Sequence, residues 1–106
     1  MARTLIDAPA SAKRGDIVEI RMLIAHAMES GHRAGPNGNV LPRDIITRFS
    51  CRYDGELVFS ADLYPAIAAN PYIAFHVRAE ASGMLEFEWQ GDNGFAQVEQ
   101  RALQVA

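Results

Sequence analysis

A chain of 106 residues has the length of one domain, and at 49% hydrophobic content it can bury roughly 65% of its unfolded surface around a single core. Its charge, 10 Lys+Arg against 13 Asp+Glu for a net −3, is too mild to steer a charged ligand. Acids and bases interleave with no basic stripe, which argues against nucleic acid.

In chain order, the first strand-like run is Arg3 to Ala8, ended by Pro9 and a polar turn from Ser11 to Gly15. Asp16 to Ala25 follows. Val18, Ile20, Met22 and Ile24 share one face, with Glu19 and Arg21 opposite, the alternation of a half-buried strand. Near its end Leu23 and Ala25 make the outer face apolar as well, so that end is expected to be covered.

Met28 to Arg43 is too long for a hairpin and too rich in breakers for a helix. It holds Gly31, Gly35, Pro36, Asn37, Gly38, Asn39 and Pro42. Connections of this length in small domains usually carry function.

Ile45 to Tyr53 alternates again, with Ile45, Thr47, Phe49, Cys51 and Tyr53 on the inward side. Asp54-Gly55 is a two-residue hairpin signal. It leads into Leu57 to Ala61, with Leu57, Phe59 and Ala61 expected inward. Asp62 is a candidate cap for a short helical turn over Leu63 to Ala69, limited by Pro65 and Pro71.

Tyr72 to Ala81 places Ile73, Phe75, Val77 and Ala79 inward and Tyr72, Ala74, His76 and Arg78 outward. Ser82-Gly83 turns the chain. Leu85, Phe87 and Trp89 then alternate with Glu86 and Glu88. Gly91 to Gly94 forms a tight turn, and Phe95 to Val105 is the last strand. Its alternation slips at Glu99 to Ala102, which predicts a bulge. Seven short strands without βαβ spacing predict an all-β, immunoglobulin-like sandwich of antiparallel strands. The cysteine pair of true immunoglobulin domains is missing.

The pattern contains no convergent catalytic site. There is no Gly-rich phosphate loop, no nucleophile elbow and no Cys-x-x-Cys. His26, His32 and His76 lack metal-ligand spacing, so no metal or other cofactor is expected. His26 falls in register with the inward residues of its strand, where it either closes the strand end or shapes a pocket rim. Cys51, the only cysteine, lies between Phe49 and Tyr53 on an inward face, the setting of an inert buried thiol. Glu86 and Glu88 read as the solvated side of a strand. No apolar run reaches the ~20 residues of a membrane span, and Met1 to Arg14 holds no apolar run of signal-peptide length.

Four blocks resemble a known family. They are the run from Leu23-Ile24-Ala25-His26 through Met28-Glu29-Ser30-Gly31-His32-Arg33, then Pro42-Arg43-Asp44-Ile45-Ile46, then Phe59-Ser60-Ala61-Asp62-Leu63-Tyr64-Pro65 through Asn70-Pro71-Tyr72, and Leu85-Glu86-Phe87-Glu88-Trp89. Together they are similar to the SoxZ family, the Z subunit of the SoxYZ carrier of bacterial thiosulfate oxidation. Departures fall at Ala27, where the family often has proline, and at Tyr64, where it often has histidine.

The resemblance covers nearly the whole chain and implies one SoxZ-like domain over residues 1–106. It implies a non-catalytic subunit that supports a Y subunit, whose flexible C-terminal arm carries the substrate-bearing cysteine. Other sulfur-oxidation enzymes would be met transiently. It further implies a periplasmic location reached by co-export with the partner. Contact is expected at the two loop regions richest in family signature, through His26, Met28, Glu29, Arg33, Asp62, Tyr64, Asn70 and Tyr72. The rival reading from the residues alone is a self-associating structural or ligand-binding module of the same architecture, without a sulfur role.

Overall fold

The alternation of Val18, Ile20, Met22 and Ile24 becomes β3 (Ile17–Ile24), whose inward side chains are all buried. The computed structural model describes residues 1–106. It places β3 at the centre of a three-stranded antiparallel sheet in the order β1-β3-β6, with β1 at Thr4–Asp7 and β6 at Tyr72–Arg78. The second sheet has five strands in the order β2-β8-β7-β4-β5. Its members are β2 (Ser11–Ala12), β4 (Ile46–Tyr53), β5 (Glu56–Asp62), β7 (Gly83–Gly91) and β8 (Ala96–Val105).

The inner faces of the two sheets meet in one core. Phe49, Phe87 and Trp89 lie at its centre, with Phe49 and Trp89 ring centroids 5.3 Å apart. Phe59 and Phe75 stack across the sheets at 4.4 Å. This is the sandwich predicted from the alternation, with eight strands rather than seven. The extra one is β2, which sits inside the expected polar turn and pairs in parallel with β8, Ser11 opposite Gln104.

The Asp54-Gly55 hairpin forms as predicted. Both residues take positive φ (52° and 85°), the two-residue turn whose twist matches the flanking strands. Two bulges were not legible. In β4 the pairing to β7 shifts between Ile46 and Arg48, so Ile45 and Ile46 are both buried and Thr47 leaves the alternation. On the other side of β4, Cys51 pairs with Phe59 but Arg52 with Leu57, which leaves Val58 as the extra residue of β5. Leu57 is thereby turned outward to 43% exposure, correcting its inward assignment.

The bulge expected at Glu99 to Ala102 is absent. The register of β7 and β8 runs unbroken from Gly83 opposite Leu103 to Gln90 opposite Ala96. The alternation slips because Gln97 and Glu99 face inward and are polar. Gln97 accepts from the Ala2 amide and donates to the Ala2 carbonyl, both at 2.9 Å, and Glu99 accepts from the Thr4 hydroxyl. These bonds tie the two sheets along one side. Leu63 to Ala69 is not helical either. A turn closes from Tyr64 to Ile67, and Asp62 pairs with Arg48 at 3.1 Å instead of capping. Pro65 fits the second position of such a turn. At the opposite end, the Tyr53 hydroxyl accepts from the Glu80 and Ala81 amides (3.3 Å each) and donates to the Ala81 carbonyl, pinning the connection between β6 and β7.

Candidate functional site

The two loops singled out in the sequence converge at one pole. The end of β3 and the start of β6 are neighbours, Leu23 opposite Tyr72, so the segments leaving and entering them lie side by side. Asn70 locks them together. Its side-chain oxygen accepts from the His26 amide (3.0 Å) and its own amide donates to the His26 carbonyl (2.8 Å). Asn70 reaches this position with φ of 55°, a left-handed conformation that asparagine tolerates.

His26 is half-buried. Its Nδ1 accepts from the Met28 amide at 3.0 Å, and its ring meets Phe95 edge-on at 5.2 Å. The histidine closes a strand end. Met28 also takes positive φ (53°), which turns its side chain into the core at 5% exposure, where its sulfur accepts from the Ile46 amide. It plugs the pole from inside.

The long connection has internal structure. Reciprocal backbone bonds between Glu29 and Asp44 (2.9 and 2.8 Å) close its base. Beyond them a small exposed hairpin runs from Arg33 to Leu41, joined by the Leu41 amide to the Arg33 carbonyl (2.8 Å) and turned at Gly35 to Asn39. Glu29 accepts from Arg33 at 2.6 Å, and that bond holds its carboxyl below the usual carboxylate range. Arg43 donates twice to Asp92 (2.8 Å each), which also accepts from the Ile45 amide (3.2 Å). This fork lowers the Asp92 pKa and fastens the loop base to the 3-10 turn Asp92–Gly94.

Because the folded Asp92 is depressed below its ordinary 3.8, its contribution is present above that value and lost as pH falls through the folded one. Asp92→Asn is therefore expected to lower Tm at about pH 7, with a gap to wild type that narrows by about pH 3. A gap that stays constant across that range counts against a charge-dependent clamp.

Of the eight expected contact residues, all but the buried Met28 lie at or near the surface of this pole. Glu29, Arg33, Asp62 and Asn70 are engaged with other parts of the chain. Tyr64 and Tyr72 alone present large unengaged apolar area, at 64% and 61% exposure. Sequence reasoning missed Leu5, 68% exposed beside Leu23, although the alternation of β1 places it opposite Ile6 and therefore outward. Nothing in the sequence signalled the Arg43–Asp92 fork.

Cys51 lies at 0% exposure, and burial pushes its thiol up to about 12. A thiol in that setting stays protonated near neutral pH. No group of three His, Cys, Asp or Glu side chains is placed to hold a metal ion. Two depressions mark the surface. One, of about 380 Å³, lies between the free strands β5 and β6 and is bordered by Tyr53, Glu56, Val58, His76 and Arg78. The other, an open hollow of about 520 Å³, lies on the outer face of the three-stranded sheet around Leu5, Leu23 and Tyr72.

The family described as Sulphur oxidation protein SoxZ matches residues 6–102. The chain belongs to the SoxZ family. Its place in Sox sulfur oxidation follows from that match. No curated protein matches this SoxZ chain in sequence. In fold, it is similar to the sulfur carrier protein SoxY from Chlorobium limicola f thiosulfatophilum, with TM-score 0.68 at 18% identity over 97% of this chain and 78% of that one. It is similar also to the superoxide reductase (neelaredoxin) from Ignicoccus hospitalis, with TM-score 0.76 at 15% identity over 99% and 82%. At these identities the likenesses establish the shared sandwich and nothing about chemistry.

Proposed function

We propose that this SoxZ-family chain is the non-catalytic subunit of a heteromeric sulfur carrier, docking and supporting a SoxY-type subunit that bears the substrate on a C-terminal cysteine arm. The observation that carries this reading is Cys51: the one thiol is sealed in the core and pushed up to about 12. In a chain of a sulfur-oxidation family, a thiol so placed leaves the covalent sulfur chemistry to another polypeptide. The fold likeness to a SoxY structure supports a partner built on the same sandwich. A rigid body under a tethered arm raises the effective concentration of the arm's cargo at each enzyme the complex meets transiently. We place the complex in the periplasm, with this chain exported bound to its partner. Cell fractionation after deleting the partner's export signal tests that placement, since retention of both chains in the cytoplasm is then expected.

The test of the carrier reading is co-expression with a SoxY-type chain, loading with thiosulfate-derived sulfur by the cognate enzymes, and intact-mass analysis of both chains. The adduct is expected on the partner alone, and Cys51→Ala is expected to leave loading unchanged. An adduct on this chain, or loss of loading by a folded Cys51→Ala protein, overturns the reading. So does recovery of this chain as a self-association product indifferent to the SoxY-type chain.

A further inference from the structure

The outer face of the three-stranded sheet is unlike the rest of the surface. Leu5 stands opposite Leu23, and Leu23 opposite Tyr72, so one row crossing all three strands is apolar and outward. Leu5 and Tyr72 are 68% and 61% exposed, and the row floors the open hollow of about 520 Å³. Side by side on adjacent strands, the three form a continuous patch and not scattered residues.

The charges beside that row are partly matched within the sheet, with two carboxylates to one guanidinium. Asp7 pairs with Arg21, Arg21 lies 3.6 Å from Glu19, and Glu19 lies 3.7 Å from His76. The ladder is mildly acidic, which disfavours an acidic peptide, a nucleic acid or an anionic membrane. An extended peptide that adds as a strand would take an open edge instead of a face. Outside the five-stranded sheet, by contrast, Arg52, Glu86, Glu88 and Gln100 stand among the outward positions.

Three strands at ~4.8 Å spacing and no more than eight residues long give a face of roughly 400 Å², short of the ~800 Å² per partner of a stable interface. The contact must therefore run on past the sheet. Further exposed apolar side chains lie in the turn that precedes Tyr72, where Tyr64 and Ile67 are 64% and 41% exposed, and at the far end of β3, where Ile17 is 55% exposed.

We propose that the outer face of β1-β3-β6, centred on Leu5, Leu23 and Tyr72 and extended by Tyr64, is where the SoxY-type partner seats one of its own sheet faces. The inference rests on the partner reading above and adds the surface. A partner with the same sandwich fold has sheet faces of matching twist, and two such faces pack at ~10 Å with their strands near alignment. The exposed polar loop tip around Arg33 to Val40 is then peripheral to the contact.

The test compares affinity for a purified SoxY-type chain across the full-length wild type, Leu5→Glu, Tyr72→Glu and Val98→Glu. Val98 is 46% exposed on the outer face of the five-stranded sheet and serves as the control. The first two variants bury an unpaired carboxylate in the contact and are expected to weaken binding roughly 100-fold. Their circular dichroism melts stay near wild type because both sites are exposed, and Val98→Glu binds within about two-fold of wild type.

Should either variant fail to fold, a photo-crosslinking residue at position 72 gives the same answer, with a cross-link to the partner expected. Wild-type affinity in all three variants, or no cross-link from position 72 in a complex that forms, overturns the inference and leaves the partner reading standing. Absence of any complex with the wild type removes both. A homodimer of the isolated chain that Leu5→Glu dissolves overturns the inference in favour of a second copy.

Discussion

Phe49→Ala is expected to destabilise the fold by about 4 kcal/mol, near the top of the range for a buried aromatic cut to a methyl group. Phe49 is at 0% exposure, and its ring lies 5.3 to 6.5 Å from those of Trp89, Phe75, Phe59 and Phe87. These rings come from both sheets, so the cavity opens at the seam between them, and β-strand backbones cannot collapse into it as a loop could. A domain of this size has a total stability of ~5 to 15 kcal/mol. The variant should melt roughly 20 °C below wild type. Urea unfolding at equilibrium gives the number directly. Phe49→Leu keeps most of the volume and should cost no more than about 1.5 kcal/mol. If Phe49→Ala costs as little as that leucine, the core is not organised around this ring.

Gly91→Ala is expected to cost about 3 kcal/mol, at the upper end of what overpacking does. The backbone at Gly91 is extended, with φ of −157°, so glycine's conformational freedom is not what the position requires. Space is. An added Cβ would meet the Ile45 carbonyl oxygen at 2.5 Å and the Ile46 Cα at 3.1 Å. Both are backbone atoms of the segment that the Thr47 bulge draws against β7. The same Ile45 carbonyl accepts from the Asp92 amide, so displacing it also loosens the turn that anchors the long connection. Faster exchange of the Asp92 amide should accompany the loss of stability. Gly94→Ala supplies the contrast, having open space but a φ of +76°; its penalty is purely conformational, about 1 kcal/mol. Equal penalties at the two glycines would refute the steric account.

Residues whose environment is set by their own strand were readable. The alternation of Val18 to Ile24 and of Leu85 to Trp89, together with the Asp54-Gly55 turn, located the sheets and their facing sides. What escaped depends on residues far away in the chain. Gln97 and Glu99 looked like a slip in the pattern because Ala2 and Thr4, at the other terminus, satisfy them inside. Leu57 was assigned to the wrong face because an inserted residue in the pairing with β4 reverses every position beyond it. β2 spans two residues and exists only because β8 passes beside it.

The candidate site followed the same division. Tyr64 and Tyr72 were named from the loop that carries the family signature, Tyr72 also from its outward strand phase, and both are exposed. Met28 was taken for a contact residue because a positive φ that turns a side chain inward leaves no trace in composition. The Arg43–Asp92 fork joins segments with no local signal between them.

The inserted Val58 has a consequence for how the chain behaves among copies of itself. β5 is a free edge of the five-stranded sheet, and an uninterrupted free edge is a template on which identical molecules stack into fibres. With Val58 out of step and charged Glu56 and Asp62 at its two ends, β5 offers no long run of evenly spaced amides and carbonyls to a neighbour. Newly made molecules can then stay apart in a crowded solution, and repairing that irregularity would turn a quiet edge into an aggregating one.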